Sequence, residues 1–254
     1  MKIHCMYFSP TGATKKAAML VADALSGDVV GLDISCADTD YSQYSFTKDD
    51  VCVIAVPSYG GRVPSTALAR IKAMSAGGAK AVLLTSFGNR DYDDTLLELK
   101  NEATKIGFNV VAAIAAVTEH SIMRQFGTGR PDTADTKELI AYAHKIAPLL
   151  QGDAAPRDIT VKGNMPYREY NGVPLKPKAD KACTNCGVCA KLCPVGAISA
   201  ENGKVTNNDI CISCMRCIAV CPHNARSLNK LMLLAVGKKM SKACGERKEN
   251  KLFI

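Results

Sequence analysis

At 254 residues the chain has room for one large domain or two ordinary ones, each able to bury a core. Its make-up, 47% hydrophobic and 22% charged with no tryptophan, is that of a globular protein. The formal charge of +8 favours anionic partners, but bound anionic cofactors would lower it, so it does not read as nucleic-acid binding.

In chain order, residues 2–8 (KIHCMYF) read as a buried strand and residues 14–27 as a helix ending at Gly27. Residues 29–34 form a second strand. Residues 49–58 form a third, with a helix over 65–75. A fourth strand at 80–88 leads to a helix at 92–107, and a fifth at 109–120 leads to a last helix at 133–152. Near-continuous Val/Ile/Ala strands, each trailed by a helix, imply a parallel sheet covered on both faces. Five such strands in this length suit an open doubly wound sheet rather than an eightfold barrel. Residues 1–151 are therefore expected to be one α/β domain.

No apolar run reaches the roughly 18 residues of a membrane span. The longest candidate, VVAAIAAV at residues 110–117, is strand-length. The N-terminus lacks the apolar core and cleavage site of a secretory signal, so a reducing cytoplasm is the expected location.

From 152 to 180 the periodicity fails. Four prolines and many polar residues there predict a linker lying on a surface. Residues 181–228 are cysteine-rich, and 229–254 read as a basic, partly helical tail packed back by Leu231, Leu233 and Leu234. The tail's basic residues could dock an acidic redox partner.

Eight of the twelve cysteines fall in an internal repeat: CTNCGVCAKLCPVGAI (183–198) aligns with CISCMRCIAVCPHNAR (211–226) at an offset of 28. Each copy is C-x2-C-x2-C-x3-C-P, the spacing of bacterial ferredoxins. Three thiolates two residues apart can wrap one face of a cuboidal cluster, while the fourth, before proline, points to the other cluster. One [4Fe–4S] cluster is thus expected on Cys183, Cys186, Cys189 and Cys221. The second is expected on Cys211, Cys214, Cys217 and Cys193. A four-thiolate zinc site needs only two CxxC pairs and gains nothing from a third step followed by CP. Cys5, Cys36, Cys52 and Cys244 have no such partners, and core thiols are the expected reading, with Cys5 and Cys52 in strands; reactive thiols are the alternative for Cys36 and Cys244, for which nothing argues. His223, which stands where the first copy has Val195, is not expected to be a ligand.

The turn SPTGAT after the first strand lies where doubly wound folds bind phosphate. It is neither a Walker A loop nor a dinucleotide fingerprint. It offers hydroxyls instead, from Ser9, Thr11 and Thr14 around Gly12, together with consecutive backbone N–H groups. Lys15 and Lys16 sit at the helix start, where cations are disfavoured unless an anion is seated there.

The pattern S-x-T-G-x-T resembles the phosphate loop of flavodoxins, which hold the FMN 5′-phosphate. The resemblance implies that the loops PSYGGRVPS (57–65) and SFGNRDYDD (86–94) flank the flavin ring. Ser58, Tyr59, Gly60, Gly61, Phe87, Gly88, Asn89 and Tyr92 would then line it, beside Ala13 in the phosphate turn. Tyr59 and Tyr92 are candidates for stacking, with glycines letting backbone approach the ring. In the loop after the fifth strand, His120 and Arg130 either reach the flavin rim or serve the structure, Arg130 pairing with Asp132; the structural reading is preferred.

A flavodoxin-like half joined to a two-cluster ferredoxin resembles the flavodoxin–ferredoxin fusion proteins of anaerobic microbes. PSYGGRVPS, GNRDYDD, EHS, GRPD and GNMPYR carry that resemblance over nearly the whole chain. It implies an α/β fold with a flavodoxin-like five-stranded parallel sheet and a smaller two-[4Fe–4S] ferredoxin domain. FMN and two clusters would interconvert one- and two-electron transfer with a redox partner protein. The alternative is an FMN-dependent reductase of a quinone or nitro compound, fed through the clusters. Ala13 in place of the family's common Asn, and the lysines at the helix start, are departures from ordinary flavodoxins.

Overall fold

The computed structural model of the chain describes residues 1–152 and 158–254. The first domain alternates β1 (Lys2–Tyr7), α1 (Ala13–Leu25), β2 (Asp28–Asp33), β3 (Val51–Pro57), α2 (Ser65–Lys72), β4 (Lys80–Phe87), α3 (Thr95–Ile106), β5 (Asn109–Val117) and α4 (Thr133–Ile146). Only a 3₁₀ turn at Tyr41–Gln43 lies between β2 and β3, so this strand lacks the expected trailing helix. Then come β6 (Lys178–Ala179), α5 (Val188–Lys191), α6 (Arg216–Ala219), β7 (Arg226–Ser227), α7 (Lys230–Cys244) and β8 (Lys251–Phe253).

The strand order is β2-β1-β3-β4-β5-β8. The first five are parallel in the 2-1-3-4-5 order of flavodoxin-like sheets. Along β3, Val51, Val53 and Ala55 face the layer of α1 and α4, while Cys52, Ile54 and Val56 face that of α2 and α3. Burial on both faces explains why these strands read as unbroken apolar runs.

The expected five-stranded sheet has a sixth strand. β8 pairs antiparallel with β5, Ala113 opposite Phe253 and Ala115 opposite Lys251. It covers the edge that β5 would otherwise expose. The three residues were too short a run to read as a strand.

The tail between α7 and β8 is clamped from the first domain. Asn89 donates through Nδ2 to the carbonyls of Cys244 (2.7 Å) and Glu246 (2.9 Å) and accepts from Lys248 N–H. Arg130, 6% exposed, pairs with Asp135 rather than Asp132 and donates to the Lys248 carbonyl. Asn250 accepts from Val117 N–H at 2.8 Å and donates to Asp135 and Glu138. Packing of α7 uses Leu233, Val236 and Met240, with Cys244 buried. Leu231 and Leu234, expected to pack, are 78% and 71% exposed, because the helical period turns them to the opposite face.

The predicted linker is a strap; its residues 153–157 lie outside the described residues. Ile159 and Val161 enter the core layer of α2 and α3. Beyond them, Asn164 and Arg168 donate main-chain N–H groups to the Asp94 carboxylate at 2.8 and 2.7 Å. That carboxylate is held below its usual range: burial opposes the shift, and these hydrogen bonds outweigh it.

Among the described residues, no helix is long and apolar enough to cross a membrane.

Candidate functional site

The loops at the C-terminal ends of β1, β3, β4 and β5 border one continuous groove. Its polar end is lined by Thr11, Ala13, Thr14, Ser58, Ser86 and Thr118, among others. A larger compartment of about 180 Å³ follows, lined by Tyr59, Gly60, Gly88, Ile122, Tyr170 and Met240, among others. Ser58, Tyr59, Gly88, His120 and Ser121 line both.

At the polar end, Gly12 has a φ of 92°, the left-handed turn that starts α1. The N–H groups of Thr11, Ala13 and Thr14 have no acceptor among the described residues. Ser9 is occupied: its Oγ accepts from Lys15 N–H at 2.9 Å and its N–H donates to Ser35 Oγ. Thr14 Oγ1 and Ser86 Oγ are 2.8 Å apart. Thr11 is the exposed hydroxyl of the turn. Open N–H groups at a helix start form a cradle for an anion. The lysines are partnered elsewhere: Lys15 Nζ lies 5.3 Å from the Tyr7 ring centroid, and Lys16 Nζ donates to the Pro131 carbonyl at 2.7 Å.

The larger compartment corrects the choice of aromatic walls. Tyr92 is 2% exposed, packs on Phe87 and belongs to the core, so it is not available to stack on a ligand. Tyr59 and Tyr170 are the walls instead, Tyr170 arriving from the strap. Asn89 does not line the groove either; its side chain holds the tail and its N–H donates to the Phe87 carbonyl. Phe87 lines the polar end. The glycines admit protein as well as ligand: a Cβ on Gly60 would stand 2.1 Å from the Tyr170 ring, and one on Gly61 2.4 Å from Asp93. On Gly88 it would stand 2.6 Å from His120. The N–H groups of Gly60, Gly61 and Gly88 have no acceptor among the described residues.

His120 faces the groove, whereas Arg130 does not. Nδ1 of His120 accepts from the N–H groups of Ile122 (3.1 Å) and Met123 (3.2 Å). A nitrogen that accepts twice carries no proton, so the proton sits on Nε2, for which no side-chain or main-chain acceptor stands among the described residues. Burial and the nearby Arg90 lower its pKa to about 4, and the ring is a neutral donor on the groove wall.

The eight repeat cysteines surround two cavities. Cys183, Cys186, Cys189 and Cys221 line one. Cys193, Cys211, Cys214 and Cys217 line the other. The repeat is also a backbone repeat at the same offset. Positive φ recurs at Asn185 and Ser213, at Gly187 and Met215, and at Gly196 and Asn224. These left-handed turns, tolerated at four non-glycine positions, curl each loop around its cavity. N–H groups of Ala197 and Ala225 donate to Cys193 Sγ (3.2 Å) and Cys221 Sγ (3.3 Å). Such bonds favour sulfur in its thiolate form. Burial, reinforced by Cys193, Cys217 and Cys211 and opposed by the Arg216 N–H, pushes the Cys214 thiol up to about 12, so a bound metal would have to displace its proton. Among the described residues, no three His, Cys, Asp or Glu converge on a single-ion site. The thiols stand around volumes instead, an arrangement that fits a polynuclear cluster.

Cys5 and Cys52 are buried in β1 and β3, where burial raises both thiols, Cys5 to about 12. Cys244 is buried at the C-terminal end of α7, and Cys36 is half-buried.

The groove and one cavity share a wall. Ile212 lines both, and Ser213 beside it lines the groove. The cysteine-rich segment is held there by Arg70, which donates to the Pro194 carbonyl at 2.6 Å and to that of Ile34 at 2.8 Å. Arg216 faces Asp33 at 3.6 Å, and Lys176 Nζ donates to the Cys211 carbonyl. Proline-rich sequence carried no signal for Tyr170 or Lys176, because their roles depend on where the strap is stitched.

Residues 182–226 match the family model of a 4Fe-4S dicluster domain. The arsenate respiratory reductase iron-sulfur subunit ArrB of Shewanella sp. (strain ANA-3) is 30% identical over 99 residues, 37% of this chain and 35% of its own. The protein NrfC homolog of Haemophilus influenzae is 38% identical over 72 residues, 27% of this chain and 30% of its own. The chain thus spans about a third of the length of these curated relatives. Among solved structures, a flavodoxin from the domain Archaea is similar at 13% identity and a TM-score of 0.42, covering 59% of this chain and 99% of its own. The Streptococcus pneumonia TIGR4 flavodoxin is similar at 18% identity and a TM-score of 0.42, covering 58% and 99%. The flavodoxin-like character of the first domain rests on its strand order.

Proposed function

We propose that this union of a flavodoxin-like domain with a 4Fe-4S dicluster domain is an electron-transfer protein that passes electrons between two [4Fe–4S] clusters and a bound FMN. The observation that carries the reading is the shared wall: Ile212, between Cys211 and Cys214, lines the groove and the cavity of those cysteines. Cys183, Cys186, Cys189 and Cys221 would hold one cluster, and Cys211, Cys214, Cys217 and Cys193 the other. Clusters exchange single electrons and flavin one or two, so the pair converts between the two currencies.

The chain's own residues support FMN. The open N–H groups of Thr11, Ala13 and Thr14, with the Thr11 hydroxyl, suit a phosphate, and Tyr59 and Tyr170 suit a flat ring. Neutral His120 offers a donor at the junction without placing a cation there. Tyr170, Ile212, Val236 and Met240 roof the larger compartment. A roofed ring favours exchange through the clusters over direct reduction of a small molecule. That ArrB is by name an iron-sulfur subunit supports a protein partner for the cysteine-rich segment.

Anaerobic reconstitution tests the reading. We expect about eight irons and one FMN per chain, with clusters reduced by substoichiometric dithionite giving electrons to flavin at a rate independent of protein concentration. A concentration-dependent rate, or no flavin bound, overturns it. Turnover of a quinone or nitro compound faster than that internal transfer would favour the reductase instead.

A further inference from the structure

The two copies of the cysteine repeat are electrostatically unequal. At the 28-residue offset, Arg226 takes the place that Ile198 holds in the first copy. Both are buried, at 3% and 6% exposure. Ile198 lines the cavity of Cys193, Cys211, Cys214 and Cys217, whereas Arg226 lines that of Cys183, Cys186, Cys189 and Cys221. One pseudo-symmetric position therefore offers hydrocarbon to one cavity and a guanidinium to the other.

A guanidinium stays charged at any ordinary pH, and burying it is costly unless it is paired. Arg226 Nη1 donates to Thr206 Oγ1 at 3.2 Å and Nη2 to the Gly203 carbonyl, both neutral acceptors. Among the described residues no carboxylate forms an ion pair with it, and its Nε is sealed from solvent without an acceptor. An unpaired buried cation with one donor left over implies an anion in the cavity beside it. The other cavity has Arg216, whose Nε is likewise sealed and unpartnered, but Asp33 stands 3.6 Å from its Nη2 and offsets the charge.

We propose that Arg226 biases the cluster pair: its Nε–H donates to the cluster held by Cys183, Cys186, Cys189 and Cys221 and makes that cluster the more readily reduced. This rests on the two-cluster reading. Four thiolates around an iron–sulfide core form a net anion, and one-electron reduction adds a negative charge without making or breaking a bond. A buried cation and an N–H donor stabilise the reduced state more than the oxidised one, raising the potential. Ile198 supplies neither to the second cluster, and Arg216, which offers that cavity an Nε–H, has its charge offset by Asp33.

The test is an anaerobic dithionite titration of the full chain, followed by paramagnetic resonance, with iron content measured alongside. Wild type is expected to show two separated one-electron steps. Arg226→Gln is expected to lower the upper step at least tenfold in equilibrium constant, about 59 mV for one electron, with iron retained. Arg226→Lys, which keeps the charge without the fork, is expected to lower it less. Thr206→Val, which removes only a neutral acceptor, is expected to leave it in place. Unmoved steps in Arg226→Gln at full iron content overturn the proposal. Should that variant fail to load, wild-type protein carrying 15N-arginine decides: nitrogen coupling to the first-reduced cluster that is lost in Arg226→Lys supports it, and no coupling overturns it. Wild type without iron would overturn the two-cluster reading itself, and this assignment with it.

Discussion

In the α/β domain the residues that hold the fold and those that face a ligand are separate sets. Ile54, Leu83 and Ile114 are fully buried between sheet and helices, while the groove lies beyond the strand ends. In the cysteine-rich segment the sets coincide: Cys189 and Cys193 are themselves members of the small apolar cluster with Ala197 and Ile198. The helices there are four residues long and the sheet is a pair of two-residue strands. The difference teaches that the groove is a consequence of a fold that stands by itself, whereas the cavities owe their walls to what fills them.

The most forceful way to break that comparison is to remove iron. Chelation under reducing conditions should abolish amide-exchange protection over residues 181–228 and leave β1, β3, β4 and β5 protected. Simultaneous loss of both regions would show one cooperative unit instead.

Next in size, Arg130→Ala strips the buried partner from Asp135 and should cost about 3–5 kcal/mol, read as a lowered denaturant midpoint. Exchange should rise first in residues 246–253, since Arg130 also holds the Lys248 carbonyl. A drop in stability with the tail still protected would mean that β8 pairs without this clamp.

Within the groove, Thr11→Val should weaken FMN binding about 10- to 100-fold, the loss expected for a hydrogen bond to a charged group. His120→Phe should alter the pH profile of stability. The folded pKa of about 4 lies below the usual value, so the unfolded chain takes up the proton first. The contribution of His120 to stability is full above about pH 6.5 and declines as pH falls toward the folded value. The phenylalanine variant should lack that part of the slope in acid denaturation. The smallest effect belongs to Lys15→Glu, a modest and salt-sensitive loss of FMN affinity. Equal losses from Thr11→Val and Lys15→Glu would mean that charge, rather than the turn, holds the phosphate.

Much of this was legible because it is periodic or locally spaced. Val51–Val56 and Val110–Val117 announce strands buried on both faces, and the six non-cysteine turn positions of the repeat inherit their backbone from the cysteine spacing. Tyr92 and Tyr170 mark the limit. Both are tyrosines near glycines, but only the stitching of the strap to Asp94 and Gly60 puts Tyr170 on the groove, while Tyr92 turns into the core. Asn89 likewise reads as a loop residue beside a ligand until the tail, more than 150 residues later, is seen bound to it.

The amino-acid sequence by itself determined the parallel sheet, the hydroxyl turn after β1 and the two copies of a cluster-binding loop, because hydrophobic period and ligand spacing are local properties. Tertiary structure alone decided that β8 closes the sheet, that Ile212 joins groove to cavity, and that Arg226 is buried without a counterion. Each of these depends on which distant surface a residue meets, and burial and charge pairing are set only at that meeting.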